Sequence, residues 1–146
     1  MGVGRLHANP PTVPKPVGMY SHLVRVEAEE LLFLAGQVAV DESGNTLAKG
    51  DAAAQTRIAY EYIGRILSDA GASYRDIVQV RTYLVGQKNL DPYLKEREHL
   101  FTELYPDAVY PPNTLVFVSG LFEPDMLVEI EAVSYTHLTL PTNREV

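Results

Sequence analysis

Alternating and helix-periodic apolar positions divide the chain into a series of strands and two helices. From Tyr20 the stretch YSHLVRVEA alternates, with His22, Val24 and Val26 on one face and Leu23, Arg25 and Glu27 on the other, as in a half-buried strand. Glu29-Glu30 reads as a turn, and LLFLAGQVAV as a second strand that is apolar throughout except where Gly36 interrupts it. A glycine inside a strand marks a bulge or the close approach of another group. The string Asp41-Glu-Ser-Gly-Asn45 is turn chemistry. Between Asp51 and Ala70, the positions Ile58, Ala59, Tyr62, Ile63, Ile66, Leu67 and Ala70 follow the spacing of a helix face. Asp51 is its expected N-cap and Gly71 its C′ residue. DIVQVRTYLV predicts a strand with Val78, Val80, Thr82 and Leu84 opposed to Gln79, Arg81 and Tyr83. Asp91-Pro92 announces a second helix that ends before Pro106 and carries the stripe Tyr93, Arg97, Leu100, Phe101 and Leu104. Arg97 is out of character on that stripe. After the turn at Tyr110-Pro-Pro-Asn113, TLVFVSGL and MLVEIEAV predict two further strands, the last with Met126, Val128, Ile130 and Ala132 inward and Glu129 and Glu131 outward.

This order implies an α+β domain, one mixed sheet with both helices on one face. Residues 1–16 form an extended lead-in, since the stretch ANPPTVPKP is too proline-rich for helix or central strand. The domain spans 17–133. Residues 134–146 continue without periodicity and back-translate to a sequencing adapter, so a non-native tail is expected there. Several strands are apolar on both sides: Leu127 and Val133 share a side with the two glutamates, and Leu23 lies opposite Val24. The sheet face away from the helices therefore needs cover, which predicts a closed oligomer.

Composition narrows the function classes. A chain of 146 residues accommodates one core. With 19 acidic against 12 basic side chains, the net charge of -7 repels phosphate backbones, and no basic cluster interleaved with aromatics offsets it, so no nucleic-acid partner is expected. There is no cysteine, which removes disulfides, thiolate catalysis and Cys-ligated zinc. His7, His22, His99 and His137 lack ligand spacing, and no metal site is expected. No apolar run reaches the roughly 18–20 residues that span a bilayer. No signal-peptide pattern opens the chain, and a cytoplasmic location is expected.

Five strings occurring in order carry a resemblance. GMYSH (18–22), LFLAGQ (32–37), AQTRIAYEYIGRILSDAG (54–71), DIVQVRTYLV (76–85) and LVEIEAV (127–133) are similar to the RidA family, the YjgF-type reactive-intermediate deaminases. The resemblance implies a chorismate-mutase-like fold and a homotrimer whose sheets enclose a central barrel, with ligand clefts between subunits. It also implies hydrolysis of enamines and imines such as 2-aminoacrylate to a 2-keto acid and ammonia, without a cofactor.

Residue by residue, the resemblance places the family's cleft tyrosine at Tyr20, its backbone donor at Gly36 and its acid at Glu129. The family's substrate-clamping arginine falls in a P-A-R-S string that reads Pro111-Pro112-Asn113-Thr114 here, and a second-helix asparagine is replaced by Leu94. Asparagine lacks the bidentate charged fork, and the loss of such a pair costs about 2–5 kcal/mol in a desolvated cleft. Asn113 and Thr114 retain neutral donors for a carbonyl or amide. Arg81 and Arg97 are the candidate substitute cations, and His22 could titrate near neutrality or serve as an interface histidine. Tyr20 also fits a half-buried packing role, and Glu129 a solvated strand glutamate. The expectation is a small metabolite bound at an intersubunit cleft, with weak or absent 2-imino acid deamination. A non-catalytic ligand-binding or protein-interaction trimer is the alternative, and the RNA cleavage once associated with the family is a third reading that the acidic balance opposes.

Overall fold

The structure, a computed structural model, describes residues 5–137. Eight elements follow in order: β1 Arg5–Ala8, β2 Leu23–Val26, β3 Glu30–Gln37, α1 Ala52–Asp69, β4 Ile77–Val85, α2 Leu90–Leu104, β5 Asn113–Val118 and β6 Val128–Thr136. The first two form an antiparallel ribbon, with His7 opposite Val24. The other four strands make a mixed sheet in the order β3-β6-β4-β5, in which only β4 and β5 run parallel. That parallel pair requires a crossover, and α2 supplies it.

Both helices cover one face, as the sequence predicts. Ala59, Tyr60, Ile63 and Leu67 of α1 and Tyr93 and Phe101 of α2 meet Val80 and Leu84 of β4 and Val128, Ile130 and Ala132 of β6. The inward set of β6 is the one its alternation gives. Asp51 caps α1, its side chain accepting from the Ala54 N–H at 2.9 Å, and Gly71 takes φ +81°, which a side chain would resist.

Four expectations change. The buried face of α1 is rotated from the predicted stripe: Gln55, Thr56 and Tyr60 are buried, while Ile66 is 39% exposed. The reason is that Gln55 is fully satisfied inside. Its Nε2 donates to the carbonyls of Leu47, Ala48 and Asp125, and its Oε1 accepts from the Leu127 N–H. Next, α2 starts at Leu90 with Asn89 in the cap position, so Asp91 lies within its first turn. The 1–16 lead-in is not wholly irregular, because Arg5–Ala8 pairs with β2. Finally, β6 runs past Val133 to Thr136. Ser134, Tyr135 and Thr136 are buried, Leu32 and Leu31 stand opposite Ser134 and Tyr135, and Glu30 pairs with Thr136 where a turn was expected. Residues 138–146 of the expected tail lie outside the described residues.

The face away from the helices is apolar and open, with Phe33 76% and Leu31 53% exposed, and Val116 also exposed. Among the described residues, no helix is long and apolar enough to cross a membrane.

Candidate functional site

The register of the sheet sorts the candidate residues into two groups. Parallel pairing sets Asn113 beside Val80 and Leu115 beside Thr82, so both β5 residues share the helix-covered face. Thr114 pairs with Arg81, Arg81 with Glu131, and Tyr83 with Glu129, which places all five on the opposite face.

On the helix side, a cavity of about 580 Å³ opens between α2, β5 and the segment before β2. Tyr20, Arg97 and Asn113 line it together, with Leu90, Leu94 and Leu115 as apolar wall and Glu98 at its edge. A tight hook builds one side: the Tyr20 N–H donates to the Gly18 carbonyl at 3.0 Å, and the Tyr20 hydroxyl accepts from the Val17 N–H at 3.3 Å. Asn113 is held from below, its Oδ1 accepting from the Thr82 hydroxyl at 3.4 Å, which is itself 3.1 Å from the Tyr93 hydroxyl.

Arg97 is only 8% exposed, its guanidinium lying 5.7 Å from the Tyr93 ring centre and 5.6 Å from that of Phe101. Its Nε is buried without a hydrogen-bond partner among the described residues. The aromatic floor beneath is buried, with Tyr60, Tyr93 and Phe101 all at 1% exposure or less. Burial pushes the Tyr60 phenol well above its ordinary value, Tyr93 and Tyr105 add to the rise, and the Arg97 charge opposes it.

On the other face, Gly36 and Glu129 fit against each other. A Cβ on Gly36 would stand 1.9 Å from Glu129 Oε2, so only glycine admits the carboxylate where it lies. The bulge expected at Gly36 is present as a register shift between Leu34 and Gln37. Nearby, the Tyr83 hydroxyl donates to Glu131, and this bond holds the Tyr83 phenol above its ordinary range. Arg81 lines a shallow depression with Glu131 and Val133.

The chain thus unites Tyr20, Arg97 and Asn113, and separately Gly36, Glu129, Arg81 and Thr114. His22 belongs to neither set. Its ring Nε2 donates to the Pro14 carbonyl at 2.7 Å and its backbone N–H to Asn9 Oδ1 at 2.8 Å, which ties the proline-rich segment to β2. Its ring meets that of Tyr20 edge-on, with centres 5.7 Å apart. Sequence reasoning missed Tyr83 as the partner of Glu131, although their shared outward parity was the available signal. It also missed the Thr82–Tyr93 support of Asn113, because both residues read as core.

Comparison with known proteins adds the following. The sequence profile of the endoribonuclease L-PSP family matches residues 11–136. A RutC family protein of Pyrococcus abyssi is 38% identical over 122 residues, 84% of this chain and 90% of that protein. The 3-aminoacrylate deaminase RutC of Acinetobacter baylyi is 32% identical over 126 residues, 86% of this chain and 94% of its own length. A crystal structure of a Rid family protein of unknown function from Yersinia pestis superposes with a TM-score of 0.78 at 31% identity, covering 91% of this chain and 99% of that one.

Proposed function

The chain belongs to the RidA/YjgF superfamily, and from that premise we propose that it is a homotrimeric small-molecule-binding protein that hydrolyses imine, enamine or amide-like metabolites at clefts between subunits. The observation that carries this reading is the split of its candidate residues. Glu129 and Gly36 lie on an uncovered apolar face, and Tyr20 and Asn113 line a cavity beside the edge strand β5. A second copy laid on that face both covers Phe33 and Leu31 and brings one set of residues to the other. Size-exclusion chromatography with light scattering is expected to return three times the chain mass; a stable monomer sinks the cleft.

In the cleft, water adds its oxygen to the imine carbon as Glu129 takes its proton. Return of that proton to the nitrogen gives the carbinolamine, whose hydroxyl proton then passes to the amine as the C–N bond breaks, so that ammonia leaves and a carbonyl forms. The Tyr20 hydroxyl and Gly36 N–H orient the reacting groups. Asn113 gives neutral hydrogen bonds where an arginine would clamp a carboxylate, which disfavours 2-imino acids held from that position. Incubation with enzymatically generated 2-aminoacrylate is expected to give weak acceleration of ammonia release. Rates equal to those of relatives carrying the arginine would refute the role given to Asn113.

A non-catalytic binding trimer is the second reading, favoured by the largely apolar wall of Leu90, Leu94 and Leu115. Ligand binding with no hydrolysis of any imine would select it. RNA cleavage, which the description of the matching family names, is not proposed, because the net charge of -7 opposes phosphate binding.

A further inference from the structure

We propose that Arg97, offered from α2, is the anion anchor of the cavity, and that the protein selects small aliphatic carboxylates through it. The inference deepens the cleft assignment above and rests on it for location, although not for chemistry.

Three observations converge on Arg97. It is more than nine-tenths buried, it lines a cavity large enough for a small metabolite, and among the described residues no carboxylate lies within ion-pair distance of it. A guanidinium taken out of water without a counter-ion is costly, and the ring contacts with Tyr93 and Phe101 offset part of that cost only. The acids on the same helix are accounted for: Glu96 pairs with Arg57 at 3.4 Å, and Asp91, Glu98 and Glu103 are exposed, Glu98 where it lines the cavity. The missing counter-charge is therefore supplied by a ligand. A carboxylate matches the planar fork of arginine. Leu90, Leu94 and Leu115 then receive an aliphatic chain, and Asn113 faces a second polar group of the same molecule. Because the fork comes from α2 and not from position 113 on β5, the carboxylate sits elsewhere in the cleft than an arginine at 113 would hold it. Tight carboxylate binding is thus compatible with weak turnover of 2-imino acids, for which a misplacement of about 1 Å is already severe.

The test is titration calorimetry of the full-length protein with 4-methylpentanoate and its neutral isostere 4-methylpentanamide. The acid is expected to bind roughly 30-fold or more tightly than the amide. Arg97→Met should abolish the preference, and Arg97→Lys should keep part of it, since lysine retains charge without the fork. Thermal unfolding supplies a second readout. In the absence of ligand, Arg97→Met should raise Tm by about 3 °C or more, because an uncompensated buried charge is removed. A merely structural arginine predicts a fall. Equal binding of acid and amide, no binding of the acid at millimolar concentration, or a methionine variant that keeps the preference would each overturn the proposal. Carboxylate binding that depends on Arg97, without hydrolysis of any imine, upholds the anchor and removes the hydrolytic reading instead.

Discussion

Gln55→Leu is expected to destabilise the protein by about 3 kcal/mol and to lower Tm by about 10 °C. Leucine preserves the volume and apolar contacts of this fully buried side chain but strands three backbone groups, the carbonyls of Leu47 and Asp125 and the N–H of Leu127, while the Ala48 carbonyl keeps its bond from the Asp51 N–H. Each unsatisfied buried group costs about 1–3 kcal/mol, and the total falls below the sum because Leu47 is only partly buried and Asp125 is exposed, so water recovers some of the bonds. The neighbouring residue provides the control. The Thr56 hydroxyl bonds only to the Ala52 carbonyl of its own helix, so Thr56→Val should cost about 1 kcal/mol or less. Urea denaturation of the two variants separates the cases, and equal costs would show that Gln55 does not tie α1 to the loops before it and before β6.

The same residue explains why the buried face of α1 could not be read from its sequence. Periodicity assigns apolar positions to the core and leaves glutamine and threonine outside, so it rotates the helix toward Ile58, Tyr62 and Ile66. The partners that make Gln55 satisfied lie 70 and 72 residues away in the strand-leading loop, and no local signal marks them. By contrast, what depended on local geometry was legible. The alternation of β6, the Asp51 cap, the Gly71 terminus and the bulge at Gly36 each follow from one or two residues and their neighbours. Sheet order was not, since the central place of β6 is a non-local pairing, nor was the ribbon of β1, whose partner lies across the proline-rich segment. The run of β6 past Val133 was not legible either, because the residues there show no clear periodicity and Ser134 and Thr136 look like surface polar residues. They are buried because β6 pairs with β3 along its length, and the Ser134 hydroxyl donates to the Asp76 carbonyl. Candidate site residues could be named from strings but not grouped, because parity across parallel and antiparallel neighbours decides which face each one takes.

Two substitutions on the uncovered face are expected to abolish hydrolysis by different routes to the same atom. Glu129→Gln keeps the shape and removes the proton acceptor, so kcat for aliphatic imines should fall about 100-fold or more, while stability changes by about 0.5 kcal/mol or less. Gly36→Ala leaves the glutamate in place and denies it room. The new Cβ would lie 1.9 Å from Oε2, 2.7 Å from Cδ and 2.9 Å from Cγ, so the entire end of the side chain must turn away. Because a flexible side chain yields where backbone would not, the alanine variant should fold, with a cost of about 1–2 kcal/mol, and lose kcat to a similar degree. Since both changes remove one carboxylate from one position, the double variant should be no slower than the worse single variant. Multiplying effects would instead mean that the new Cβ also shifts the Gly36 N–H, which alanine retains, away from the reacting groups, a loss independent of Glu129. Full activity in the alanine variant would mean that the carboxylate works from another rotamer, and that its fit against Gly36 is a matter of close packing alone.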